Sequence, residues 1–267
     1  MLTREQIERT ARQLESAERN RQQVRSVSFV FPDMNVDDAY AIQKSWIALK
    51  VGLGRRVIGR KVGLTSRAMQ QAMQINEPDF GVLLDDMLFA EGAEIEVARF
   101  TDLRLEVELA FVLKSPLRGP GVRVTDVLAA TAYVVPAIEL IAARTFRIDP
   151  DTRKPRGVID TIADNAASAG LMLGGRPVPV DSIDLRWVGV LLSRNGVIEE
   201  SGVAGAVMNH PANAVAWLAN RVGDLGETLA AGEVILSGSF TRPVLVAPGE
   251  IWHVDFGSLG SFSCRFV

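Results

Sequence analysis

Residues 104–113 read Arg-Leu-Glu-Val-Glu-Leu-Ala-Phe-Val-Leu. Alternate residues of a β-strand share a face, so Leu105, Val107, Leu109, Phe111 and Leu113 line one side, and Glu106 and Glu108 stand together on the other. The next residues on that second side, Ala110 and Val112, are apolar, which puts both carboxylates on a face that is at least partly covered. Ionised carboxylates this close repel one another, and a cation or a shared proton relieves the repulsion. Downstream, Glu139 lies inside the apolar run Val134–Ile141. An unpaired buried carboxylate is costly, so Glu139 is expected to face a base or a metal. Three carboxylates without nearby His or Cys suit a hard cation, Mg²⁺ or Mn²⁺, with waters completing its shell. A second arrangement satisfies the same pattern: Glu106 and Glu108 on a solvated sheet face, and Glu139 paired with an arginine.

Around this strand the sequence changes texture. Thr3 to Arg25 carries Ile7, Ala11, Leu14 and Ala17 at helical steps, opened by a Thr3/Gln6 capping box. A second helix is expected from Asp37 to Lys50, with Ala39, Ile42, Trp46 and Leu49 on one face. Val57–Val62 reads as a short strand and Ser66–Met73 as a short helix. Beyond these, short apolar runs punctuated by Gly, Pro and Asp predict strands over 103–113, 133–141, 185–193, 197–200, 233–237, 244–246, 251–256 and 261–266. Arg194-Asn195-Gly196 is a hairpin signal, and Pro211–Val222 is a helix opened by a proline. Strands that do not alternate with long helices argue against a doubly wound sheet or an eightfold barrel. The expected class is α+β: a helical N-terminal region over residues 1–80 and a mixed β body over 81–267.

The chain has 267 residues, of which 48% are hydrophobic and 23% charged, enough to build a sizeable core. A net charge of -3 lacks the basic excess of a nucleic-acid binder. One cysteine, Cys264, and two histidines, His210 and His253, leave no disulfide framework and little room for a His-based metal site or triad. Acid–base work therefore falls on carboxylates and lysines. Residues 1–23 are charged and polar, and no apolar run approaches the roughly 18 residues of a membrane span. A signal peptide and a membrane partner are not expected, and a cytoplasmic location is.

Two further clusters carry candidate chemistry. Lys61 sits in Gly59-Arg60-Lys61-Val62-Gly63, where it either polarises a carbonyl, titrates within a cleft, or stays an ordinary surface lysine. Asp79 lies in the turn-like Glu77-Pro78-Asp79-Phe80-Gly81. Ser237-Gly238-Ser239-Phe240-Thr241-Arg242-Pro243 offers hydroxyls and free backbone N–H groups to a carboxylate, or simply turns the chain. The glycines at 52, 54, 59 and 63 match neither a phosphate-binding loop nor a dinucleotide fingerprint, and no G-x-S-x-G elbow is present.

Taken in order, G-R-K-V-G-L-T-S (59–66), E-P-D-F-G (77–81), R-L-E-V-E-L-A-F-V-L (104–113), V-P-A-I-E-L-I (135–141), I-A-D-N-A-A-S-A-G (162–170) and G-S-F-T-R-P (238–243) resemble the hydratase/decarboxylase family with the fumarylacetoacetate-hydrolase fold. The resemblance covers nearly the whole chain. It implies a mixed β-roll-like body behind a smaller helical region. It also implies an Mg²⁺-dependent lyase of aromatic meta-cleavage catabolism, with Mn²⁺ an alternative metal, and a homo-oligomer, decamers included. By matching position, Glu106, Glu108 and Glu139 bind the metal, and Lys61 and Asp79 are active-site groups. Ser239 and Thr241 are candidates for the substrate's C1 carboxylate, and Arg242 or Arg60 for a distal one. P-L-R-G-P (116–120), R-I-D-P-D-T (147–152) and N-G-V-I-E-E-S-G-V (195–203) point to hydration of the small-molecule dicarboxylate 2-oxo-hept-4-ene-1,7-dioate. Decarboxylation of 2-oxo-3-hexenedioate, another dienoate hydration, or metal binding without turnover are the alternatives.

Overall fold

The computed structural model describes residues 1–72 and 75–267. Its helices are α1 (Arg4–Asn20), α2 (Val27–Val30), α3 (Val36–Gly52), α4 (Arg67–Ala72), α5 (Val124–Ala130), α6 (Val158–Ala163) and α7 (Pro211–Asp224). The strands are β1 (Val57–Gly63), β2 (Asp79–Leu84), β3 (Leu88–Phe89), β4 (Glu94–Ile95), β5 (Arg104–Leu113), β6 (Thr131–Ile141), β7 (Ser168–Leu173), β8 (Gly189–Arg194), β9 (Val197–Val203), β10 (Val234–Leu236), β11 (Val244–Leu245), β12 (Ile251–Asp255) and β13 (Ser261–Phe266). The architecture is α+β. One sheet runs β2-β1-β10-β5-β6-β7-β3, with β11 also on β5, and a second runs β4-β13-β12-β8-β9. Both are mixed: β1 is parallel to β10 and β4 to β13, while β5 pairs antiparallel with β6 and β10.

Local sequence explains the caps and turns. Thr3 and Gln6 close the capping box of α1, and Ala11, Leu14 and Ala17 are buried at helical spacing. Asn35 and Asp38 form a second box that starts α3. Asn195 and Gly196, at φ 52° and 84°, make the two-residue turn between β8 and β9. His210 Nδ1 accepts from Ala212 N at 3.1 Å, which caps α7. Trp46 of α3 is buried and donates to Glu15 of α1 at 2.8 Å, tying the two long helices together.

Several elements differ from expectation. Leu185–Trp187 is a short 3₁₀ turn before β8 rather than strand. Asp79 opens β2 instead of lying in a turn, and β7 was not foreseen. Both strands are largely buried and lack period-2 alternation, so only their sheet neighbours make them strands. The short helix after Ser66 is described as far as Ala72, and Met73 lies outside the described residues. Among the described residues no helix is long and apolar enough to cross a membrane.

Candidate metal centre and active site

Glu106 of β5 lies directly opposite Glu139 of β6, and Glu108 lies opposite Ala137. Strand alternation puts Glu106 and Glu108 on one face, and the cross-strand register delivers Glu139 to that same face. One oxygen from each of the three carboxylates lies within 4.8 Å of the other two. Glu108 and Glu139 are buried and Glu106 is partly exposed, so the cluster meets a cavity rather than bulk water. The arrangement with an arginine on Glu139 does not occur. Its partner is Lys61, whose Nζ lies 3.1 Å from Oε1 and donates to Oε2 at 3.3 Å. Oε1 itself has no hydrogen-bond partner.

The sheet order brings the remaining groups alongside. β1 carries Lys61 two strands away from β5, and β2 pairs with β1 so that Asp79 faces Gly63. A methyl group on Gly63 would meet Asp79 Oδ1 at 2.2 Å and stand 3.7 Å from Lys61 Nζ, so glycine is what lets the carboxylate approach the strand. Asp79 is buried, and neither of its oxygens has a hydrogen-bond partner. At the end of β10, Gly238 N donates to Glu108 Oε2 at 2.6 Å. Gly238 has φ 113° and touches Thr65, where a side chain would clash. Ser239 Oγ contacts Val107 O at 3.2 Å and Thr241 O at 3.0 Å. Ser239, Thr241 and Arg242 line the cavity with Glu106, and Arg242 is held by Glu200 Oε1 with Nε at 3.0 Å. Arg60, one residue from Lys61 in β1, points to the opposite sheet face and pairs with Glu233 at 2.6 Å and Glu227 at 3.0 Å.

Crowding of carboxylates controls the electrostatics. Burial, then the charge of Glu139, pushes the Glu106 pKa up to about 7, against the opposing charge of Lys61. Burial and the same neighbours hold Glu108 well above the usual carboxylate range, although the Gly238 N–H opposes this. Burial pushes Asp79 up to about 6, with Lys61 limiting the rise. Burial opposes the Lys61 ammonium, but Glu139, Glu106, Asp79 and Glu108 together outweigh it and keep its pKa above the ordinary lysine value. With the carboxylates free of metal, Lys61 therefore carries a positive charge at neutral pH.

The donor set fits a hard divalent cation. It is all oxygen, two of the three residues are buried, Glu139 Oε1 has no hydrogen-bond partner, and the pKa values of Glu106 and Glu108 stay raised despite the charge of Lys61. Because protons compete for the same oxygens, Mg²⁺ affinity is expected to weaken as pH falls through about 7, where Glu106 takes up its proton. Calorimetric titration in two buffers of different ionisation enthalpy checks this. Proton release on binding is the expected result near neutral pH.

Sequence reasoning overlooked Arg147 and Arg156, which line the cavity beside Lys61, Asp79 and Glu106. Arg147 belongs to the segment R-I-D-P-D-T, but nothing local indicates that a loop beyond β6 folds back over the carboxylates. His210 caps α7, and His253 Nδ1 lies 2.8 Å from Ser263 Oγ, so neither histidine lines the cavity.

Comparison with known proteins places this geometry in a family. The profile of the fumarylacetoacetate (FAA) hydrolase C-terminal region matches residues 49–267. The chain belongs to the fumarylacetoacetate hydrolase family. Within that family it is 56% identical over 257 residues to a 2-oxo-hept-4-ene-1,7-dioate hydratase of Escherichia coli, covering 96% of each chain. It is 37% identical to a 4-oxalocrotonate decarboxylase of Pseudomonas putida, covering 100% of this chain and 98% of that protein. The solved 4-oxalocrotonate decarboxylase from Pseudomonas putida G7, complexed with magnesium and adipate, superposes with a TM-score of 0.95 at 37% identity. That match covers 100% of this chain and 99% of the other. The magnesium of that family member accords with the all-carboxylate cluster found here.

Proposed function

We propose that this protein hydrates 2-oxo-hept-4-ene-1,7-dioate to 4-hydroxy-2-oxoheptanedioate in an aromatic meta-cleavage pathway, with Mg²⁺ held by Glu106, Glu108 and Glu139. The observation that carries the reading is a buried Asp79 carboxyl, both oxygens unpartnered, in a cavity it shares with the carboxylate cluster. The cation, when bound, supplies a Lewis acid that lowers the cost of negative charge on the substrate's 2-oxygen.

The chain's own residues do the rest. Ser239 and Thr241, which line the cavity with Glu106, are the residues we assign to the C1 carboxylate. Asp79 takes a proton from C3 and returns one to C5. That shift moves the double bond from C4–C5 to C3–C4, into conjugation with the 2-oxo group. Water then adds at C4, and C3 takes up a proton. The carboxylate that takes the C3 proton becomes the acid that returns one to C5. Lys61 holds Glu139 in place and keeps a positive charge beside the reacting carbons.

Hydration is favoured over decarboxylation by the relative at 56% identity against the one at 37%. Both reactions start from the same 2-oxo acid head group, so product analysis discriminates them. Purified protein, stripped with EDTA and reloaded with Mg²⁺, is expected to convert the heptenedioate to the 4-hydroxy acid without releasing CO₂. Stoichiometric CO₂ from 2-oxo-3-hexenedioate, with no water addition to the heptenedioate, would favour the decarboxylase. No metal-restored turnover of either would leave a binding protein.

We further infer a homo-oligomer, decamers included. Leu191, Val197, Ile198, Val203 and Ile251 on the second sheet stay exposed, and Trp187 beside them is 76% exposed. Apolar surface of this kind is commonly covered by another subunit. Sedimentation as a 29.0 kDa monomer would overturn this.

A further inference from the structure

The cavity has two lobes, one of about 270 Å³ and one of about 430 Å³, that meet at Glu106 and at Gly63, Leu64, Met69 and Pro243. Ser239, Thr241 and Arg242 line the larger lobe. Lys61, Asp79, Arg147 and Arg156 line the smaller one. A 2-oxo acid whose head sits at the carboxylate cluster must send its chain into the smaller lobe for Asp79 to reach C3 and C5. The far end of a seven-carbon diacid then arrives among arginines.

Those arginines are not equivalent. Arg156 spends Nη1 on Thr145 Oγ1 and Asp164 Oδ2, each at 3.0 Å, and Asp164 also serves Arg144 at 2.6 Å. Arg147 uses Nε on Asp102, while its Nη2 is buried without a hydrogen-bond partner. Asp102 is shared, since Arg104 Nε lies 3.7 Å away and likewise has no hydrogen-bond partner. Arg104 falls on the same face of β5 as Glu106 by strand alternation. Two guanidiniums thus share one carboxylate at the side of the cavity. Burial and the neighbouring charge of Arg156 press the Arg147 pKa below its ordinary value. The other candidates are committed elsewhere: Arg242 to Glu200 in the other lobe, and Arg60 to Glu227 and Glu233 on the far side of the sheet.

We infer that Arg147 is the specificity-determining residue that binds the substrate's distal carboxylate, in a subsite it forms with the edge of Arg156. This rests on the dicarboxylate reading above. A guanidinium with an unspent Nη edge matches the two oxygens of a carboxylate, which is how this side chain discriminates a diacid from a monoacid.

The test uses binding, so it does not depend on which reaction follows. Saturated 2-oxoheptanedioate and 2-oxoheptanoate, identical except for the distal carboxylate, are titrated into the Mg²⁺-loaded protein and into Arg147→Gln. The unmodified protein is expected to prefer the diacid by about 10- to 100-fold, the range of a charged hydrogen-bonded contact. Arg147→Gln is expected to lose that preference and to bind the monoacid within about threefold of the parent, a margin small against one such contact. Arg147→Lys keeps the charge but not the fork, and is expected to retain only part of the preference. It serves as the readout if the glutamine variant does not fold. A diacid preference that persists undiminished in either variant, or that the parent lacks, overturns the assignment. Absence of hydration with the preference intact overturns the hydratase reading alone.

Discussion

Asp79→Asn is expected to lower turnover by about 10²- to 10⁴-fold, the usual contribution of a positioned acid–base group. The substitution is nearly isosteric, and Asp79 makes no hydrogen bond whose loss would disturb the fold. It is not one of the three clustered carboxylates, so calorimetric Mg²⁺ affinity should stay close to the parent's. The pH profile adds a second check. Asp79 must be ionised to take the C3 proton, so turnover in the parent should rise with pH through the titration of this group and then level. Its pKa of about 6 in the metal-free protein would fall further beside a bound cation. The asparagine variant should lack that acid limb. Parent-like turnover in Asp79→Asn would remove it from the mechanism.

Glu106→Gln should separate function from stability. Taking one negative charge from about 4 Å of a divalent cation costs on the order of 8 kcal/mol at an effective dielectric of about 20, twice the unit-charge value. Relief of carboxylate repulsion in the metal-free state returns part of that, leaving an expected loss in Mg²⁺ affinity of at least about a hundredfold, with turnover falling alongside. The metal-free protein should behave in the opposite sense. Glu106 has its pKa raised to about 7 by burial and by Glu139. An acid raised on folding binds more protons folded than unfolded between its two pKa values, so it costs stability increasingly as pH rises through that window. Removing the titration should make the metal-free variant at least as stable as the parent, with the gap widening from about pH 4.5 to about pH 7 and constant above. Thermal melting in EDTA across that range, paired with metal titration, checks both halves. A variant that binds Mg²⁺ like the parent would exclude Glu106 as a ligand.

Much of this molecule is written in short-range spacing. The alternation from Arg104 to Leu113 puts both glutamates on one face whichever strand lies alongside. Thr3/Gln6, Asn195-Gly196 and Pro211 mark ends and turns whose chemistry is complete within a few residues. β2 and β7 were not readable that way. Their runs, Asp-Phe-Gly-Val-Leu-Leu and Ser-Ala-Gly-Leu-Met-Leu, become strands only because neighbouring strands take up their backbone groups.

The sequence alone determined that Glu139 sits in an apolar run and that Glu106 and Glu108 share one strand face, and it left open whether that face is covered or solvated. Only the tertiary structure decided what answers them. Lys61 reaches Glu139 across 78 residues of chain, Asp79 enters beside Gly63, and Arg147 returns from a loop beyond β6 to wall the cavity. The reason is that period and capping act over one or two turns of chain. Partner choice at a buried charge depends on sheet order and register, which no local pattern encodes.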